Sequence, residues 1–109
     1  MLYISVEDFF SQVGEIPRLT RDEEIDLAHR MTEGDEAARD ALVRGYLPMV
    51  ASYIRRMPQE IRTLHTVYTC IASLEKGVDQ FNFLQESESF VHHLSWRMRQ
   101  CITRCIAER

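Results

Sequence analysis

Glycine and proline are scarce in this sequence, four and three among 109 residues. A β-sandwich of this size would need many turns, so this scarcity argues against one. No run of about 18 apolar residues occurs, so no membrane span is expected. Residues 1–10 contain no basic stretch followed by an apolar one, and no secretory signal is expected. Cysteines number only three, Cys70, Cys101 and Cys105. An odd, small set fits a reducing, cytoplasmic compartment better than a disulfide framework. Lysine is nearly absent: of the thirteen basic residues, all but Lys76 are arginine. Arginine suits bidentate contacts to phosphates and base edges, although a G·C-rich genome produces the same bias.

Catalytic constellations are lacking too. There is no Gly-rich phosphate loop. No cysteine has a base and an orienting group at recognisable spacing, so the chain does not read as an enzyme and no cofactor is expected. Cys101 and Cys105 lie one helical turn apart, with His92 and His93 about two turns earlier. Both cysteines fall on an apolar stripe and a second clear ligand pair is missing, so no zinc site is expected. The acids Asp22, Glu23, Glu24 and Asp26 sit in a helix first turn, where the macrodipole accounts for them.

What remains is an ordinary globular composition, 45% apolar and 28% charged, at one-domain length. The net charge of −4 is unevenly spread. Residues 1–40 hold eleven acids and four bases, and residues 41–109 hold six acids and nine bases, so an acidic front precedes a +3 remainder. Two surfaces with different partners are expected. The +3 remainder is a weak footprint for nucleic acid, so isolated DNA binding should be poor and should need a larger assembly.

The periodicity is helical nearly throughout. Ser5 opens a short helix over Val6–Val13, closed by Gly14. Thr20 and Glu23 form a capping box for a second helix carrying Ile25, Leu27, Ala28 and Met31, which Gly34 ends. Asp35 caps a third helix running to about Met57, with Pro48 inside it and a kink or break expected near Gly45–Pro48. A fourth helix has the stripe Ile61, Leu64, Val67, Tyr68, Ile71, Leu74, Val78 and Phe81. A polar loop over 82–86 and a serine cap at Ser87 or Ser89 lead to a last helix over about 88–108. The expected fold is all-α, a compact bundle of four to five helices.

The last helix has two faces. Val91, Leu94, Met98, Cys101 or Ile102, and Cys105 form the core stripe, and His92, His93, Trp96, Arg99, Gln100 and Thr103 lie opposite. Mixing Trp, Arg, Gln, Thr and His at helical spacing is unusual for a merely solvated face. Trp96 can stack on a base, Arg99 and Arg104 can meet phosphates, and Gln100 can read a base edge. The alternative is that Trp96 packs on a neighbouring helix while the polar groups are solvated.

The order of motifs resembles bacterial sigma-70 family factors. The stretch from Glu15 to Arg30, followed by Glu33 to Arg39, resembles the segment leading into their core domain. Leu42-Val43 with 47–56 resembles the next helix, and Lys76-Gly77-Val78-Asp79-Gln80-Phe81 the end of the polymerase-binding helix. Residues 96–108 resemble the helix that reads the promoter −10 element. The resemblance divides the chain into a leading helical segment, residues 1–34, similar to region 1.2, and a region-two-like core domain, residues 35–109. Together they are expected to form one folded unit.

The resemblance implies binding to the clamp coiled coil of core RNA polymerase and to the non-template strand of promoter DNA, with −10 recognition and melting. Trp96 matches the first of a family Trp pair at the upstream edge of the bubble. Gln100 and Thr103 match positions contacting the −12 region, and Arg99 and Arg104 match basic positions near the backbone. His92, His93 and Arg97 complete the DNA-binding set. His65, Tyr68, Thr69 and Glu75 stand on the helix that would meet polymerase.

The departures are specific. Arg97 replaces the second Trp, and His93 replaces an aromatic. Gln85-Glu86-Ser87-Glu88 is acidic where the family is basic and aromatic. Residues 65–71 lack the charged and amide groups of the polymerase-binding stretch. The chain ends at Arg109, where full-length members continue into domains for the −35 element. A diverged module that binds polymerase or another protein without reading promoters is therefore the alternative. Trp96, Phe83 and Tyr68, left without the family's partners, could support self-association.

Overall fold

Local start signals set most of the helices of the computed structural model, which describes residues 3–80 and 90–108. Ser5 Oγ accepts the Asp8 amide at 3.0 Å and opens α1, Val6–Gly14. At α2, Arg21–Thr32, both halves of the capping box form: Glu23 N–H donates to Thr20 Oγ1 at 3.1 Å, and Thr20 N–H donates to Glu23 Oε1 at 2.9 Å. Gly34, at φ +91, turns the chain, a conformation without penalty only for glycine. Asp35 then accepts the Ala38 amide at 3.1 Å to start α3, Glu36–Arg55. A 3-10 turn, Gln59–Ile61, precedes α4, Leu64–Gln80, whose first turn is held by Thr63 Oγ1 accepting the Thr66 amide at 3.2 Å. The last helix, α5, spans Phe90–Ala107. No strand occurs among the described residues. The expected loop over 82–86 and the serine caps lie outside them, as do Phe81 and Phe83.

Three expectations need correction. Of the kink or break expected near Gly45–Pro48, the break does not occur, and α3 runs on through Pro48. Proline costs about 3 kcal/mol or more inside a helix. On either side of it Leu47, Val50, Ala51 and Ile54 are buried, and α3 packs against every other α-helix of the bundle, so burial outweighs the lost bond. The fourth helix starts at Leu64, because Ile61 belongs to the 3-10 turn, although its side chain still reaches the core. Val91 is not a core residue but 44% exposed.

The core gathers side chains from all parts of this arrangement: Phe9 and Val13 of α1, Leu42, Val50 and Ile54 of α3, Val67, Leu74 and Val78 of α4, and Leu94 and Met98 of α5. Only Ala28 of α2 is fully buried. That helix is docked by Leu27 and Met31 against the core and by the Tyr46 hydroxyl, which donates to Glu24. Just before it, Leu19 lies against bare backbone at Gly45, where an added Cβ would stand 2.5 Å from Leu19 Cδ1. A second close approach joins α4 to α5 at Gly77, where a Cβ would meet Leu94 Cδ2 at 2.8 Å. Among the described residues no helix is long and apolar enough to cross a membrane.

Arg39 ties the start of α3 to the end of α4. Its Nε and Nη2 both donate to Asp79 at 2.9 Å, and Nη2 also reaches Glu75 Oε2 at 3.4 Å. The bond from Arg39 holds the Asp79 carboxyl below the ordinary carboxylate range. A depressed folded-state pKa contributes stability above the unfolded pKa and loses it as pH falls through the folded one. Urea midpoints measured from pH 6 down to pH 2 are therefore expected to fall in the acid limb. Arg39→Ala should flatten that limb as well as lowering the plateau, and an acid limb of unchanged steepness would show that the pair is electrostatically idle.

Candidate nucleic-acid interface

The helix α5 sorts its side chains by radial position. Phe90, Leu94, Met98 and Cys101 point into the core, so Cys101 rather than Ile102 takes the alternative core position. His92, Trp96, Arg99, Gln100, Thr103 and Arg104 are exposed, in one run along the outer face. Trp96 is 52% exposed, so about half of its side chain faces solvent. His93, expected on the outer face, is only half exposed. The Thr103 hydroxyl donates to the Arg99 carbonyl at 2.9 Å, leaving its oxygen lone pairs outward as acceptors.

Trp96 forms one wall of a groove between α4 and α5 of ≈ 490 Å3. Gln100, Arg97 and Arg104 line it from α5, and Thr69, Ser73 and Lys76 from α4. Three cationic side chains and no carboxylate line it among the described residues. An aromatic plane beside cations and hydroxyls is the chemistry that receives a base and its phosphate. Lys76, Ser73 and Thr69 were not read from the sequence as part of a DNA face. They recur at helical spacing on α4, but only the docking of α5 reveals that this stripe meets Trp96.

Arg97, expected in the DNA-binding set, is engaged with α4. Its Nε donates to the Ser73 carbonyl at 3.3 Å, and Nη1 donates to Gln80 Oε1 at 3.1 Å. It thus clamps α5 to α4 over the bare backbone of Gly77, while its flank still lines the groove.

The residues expected to meet polymerase do not share one surface. The Thr69 hydroxyl donates to the His65 carbonyl at 2.9 Å, and Thr69 lines the groove beside Trp96. Tyr68 and Glu75 line a different groove with Tyr3, Arg39 and Arg44. There Tyr3 N–H donates to the Tyr68 hydroxyl at 2.7 Å, and that hydroxyl donates back to the Tyr3 carbonyl at 3.3 Å. Tyr68 is therefore half-buried under the N-terminal segment rather than an open apolar group. The large exposed apolar side chains include Trp96, Val91, Ile25 and Ile4.

A smaller cavity of ≈ 300 Å3 flanks α5 on its other side, lined by Arg18, Tyr46, Tyr53, Arg56, Val91 and Ser95. Nothing in the spacing of these residues announces it, since three segments far apart in sequence contribute.

Comparison with known proteins gives the arrangement its context. Residues 5–37 match the family model for sigma-70 factor, region 1.2. Over 97% of its length the chain is 32% identical to the RNA polymerase sigma factor SigA of Clostridium acetobutylicum, spanning 29% of that protein. It is 30% identical to the RNA polymerase sigma factor SigA of a Bacillus species over 95% of its length, spanning 28% of that relative. The chain thus covers less than a third of either relative. A family-model match over the leading segment and similarity that runs on through α5 point the same way: over nearly all of its length the chain is similar to sigma-70 family RNA polymerase sigma factors.

Proposed function

We propose that this chain acts in transcription initiation by docking on core RNA polymerase and presenting α5 to the −10 element of promoter DNA. Trp96 stacks on an unpaired base of the non-template strand, Gln100 and Thr103 meet base edges, and Arg99, Arg104 and Lys76 meet phosphates. The observation that carries this reading is the half-exposed Trp96 at the lip of a groove with cationic and hydroxylic walls. The relatives, both named as RNA polymerase sigma factors, support it. The reaction asked of the protein is not covalent. Capturing a base that has left the duplex offsets part of the unpairing cost, and stacking contributes about 1–3 kcal/mol per base.

A second reading has one observation in its favour. The side chain standing where the family carries its second Trp is Arg97, and its donors are engaged by Ser73 and Gln80. On that reading the chain binds polymerase or another protein and leaves promoters unread.

The two separate in one experiment. The chain is mixed with core polymerase and a labelled single-stranded oligonucleotide of −10 sequence at about 50 mM salt, where phosphate contacts are strongest. The proposal expects all three to co-elute in gel filtration, with a scrambled oligonucleotide excluded. Polymerase binding without the oligonucleotide supports the second reading, and binding of neither defeats the proposal and leaves of the second reading only a partner other than polymerase.

A further inference from the structure

The three cysteines form a cluster that promoter recognition does not use. Cys70 of α4 and Cys101 of α5 lie with their Sγ atoms 3.4 Å apart across the helix interface, 31 positions apart in sequence. Both are buried, while Cys105, one turn further along α5, is only half-buried. Cys101 is 8% exposed, and that sliver opens into the groove beside Trp96, Gln100 and Arg104. Cys70 has no exposure at all.

We propose that Cys70 and Cys101 are a peroxide-oxidisable dithiol whose disulfide locks α4 to α5 beneath the Trp96 groove. The geometry carries the pairing. A disulfide bond is about 2.05 Å long, so closure needs about 1.4 Å of relative movement of the sulfurs. Cys101 and Cys105 instead share one helix, whose backbone would have to distort to join them.

The chemistry separates the roles. Cys101 is the sulfur a small oxidant reaches through the groove. The hydrogen bond from the Cys70 thiol, and the nearby Arg104, hold its pKa below the ordinary thiol value. The Cys70 thiol is held high by its bond to Cys101 and by burial, and it keeps its proton. In the first step the Cys101 thiolate attacks one oxygen of hydrogen peroxide. The O–O bond breaks, hydroxide leaves and takes up a proton as water, and Cys101 becomes the sulfenic acid. In the second step the Cys70 sulfur attacks the Cys101 sulfur. The S–O bond breaks, and the departing hydroxide takes the Cys70 proton as a second water. Peroxide is reduced to two waters and the two thiols are oxidised to one disulfide. A thiol reductant reverses the bond by exchange.

Trypsin makes the test direct, because cleavage after Arg62, Lys76, Arg99 and Arg104 puts each cysteine on its own peptide: 63–76, 100–104 and 105–109. The native chain is treated with hydrogen peroxide, remaining thiols are alkylated in denaturant, and the digest is weighed with and without dithiothreitol. The expected product is peptide 63–76 linked to 100–104, lighter than the two reduced peptides by two hydrogen atoms and released by dithiothreitol, with Cys105 alkylated. Cys105→Ser should leave the link intact. The oxidised chain should also unfold at a higher urea concentration, and dithiothreitol should return the midpoint to its starting value. A 100–104 to 105–109 link, a covalent dimer through Cys105, or a Cys70 still alkylated after Cys101 has reacted would overturn the assignment. A lower urea midpoint on oxidation would overturn the locking role.

Discussion

Phe9→Ala is expected to lower stability by about 3–5 kcal/mol, the range for removing a fully buried aromatic side chain. Phe9 has no exposed surface and packs edge-to-face on Tyr3 with ring centroids 5.0 Å apart. Its neighbour Phe10 lies 5.7 Å away by centroids and is covered by the Arg55 guanidinium at 4.6 Å. The helix α1 reaches both α3 and α4. Truncating Phe9 therefore opens a cavity where three helices meet, not at a frayed end. A domain of this size has a total stability of about 5–15 kcal/mol, so the variant should approach its unfolding midpoint under mild denaturant. Urea titration checks it. A large fall in midpoint with unchanged slope means that α1 unfolds with the rest of the bundle. An unchanged midpoint with a shallower slope means that α1 detaches alone.

The second large effect contrasts two adjacent residues. Trp96→Ala should weaken binding of a −10 oligonucleotide by about 1–3 kcal/mol, roughly 5- to 150-fold. Its cost in folding should stay within about 1 kcal/mol, because half of the side chain already faces solvent. Arg97→Ala should do the reverse. It removes two hydrogen bonds that join α5 to Ser73 and Gln80, at about 1 kcal/mol each. Its effect on oligonucleotide affinity should be the smaller of the two. Fluorescence anisotropy of a labelled oligonucleotide with polymerase present gives the first quantity, and thermal unfolding of the free chain gives the second. A pair of variants equal in both would remove the distinction between a recognition residue and a clamp.

What the sequence made legible was local. Ser5, Thr20 and Asp35 each cap a helix through a bond to a residue three positions on, and such bonds are visible in spacing. The amphipathic sorting of α5 was legible for the same reason. What escaped depended on contacts between distant segments. Tyr68 looked available for a partner until the backbone of Tyr3, 65 positions away, proved to hold its hydroxyl. Arg97 read as a DNA contact, and the acceptors that α4 offers it are invisible in local spacing. Pro48 looked like a break because its local cost is visible, while the burial of Leu47, Val50 and Ala51 around it is not. The groove behind Trp96 exists only because two helices lie side by side at Gly77.

The central claim is that α5 receives an unpaired promoter base on Trp96, and Trp96 is the one tryptophan in the chain. Its emission is therefore a direct reporter. Because the isolated chain should bind DNA weakly, it is titrated to high concentrations of an unlabelled single-stranded −10 oligonucleotide at about 50 mM salt, where phosphate contacts are strongest, with a scrambled strand as control. Stacking of a base on the indole predicts saturable quenching with the −10 strand and little with the control. Binding that is evident by mobility but leaves the Trp96 emission unchanged would contradict the claim.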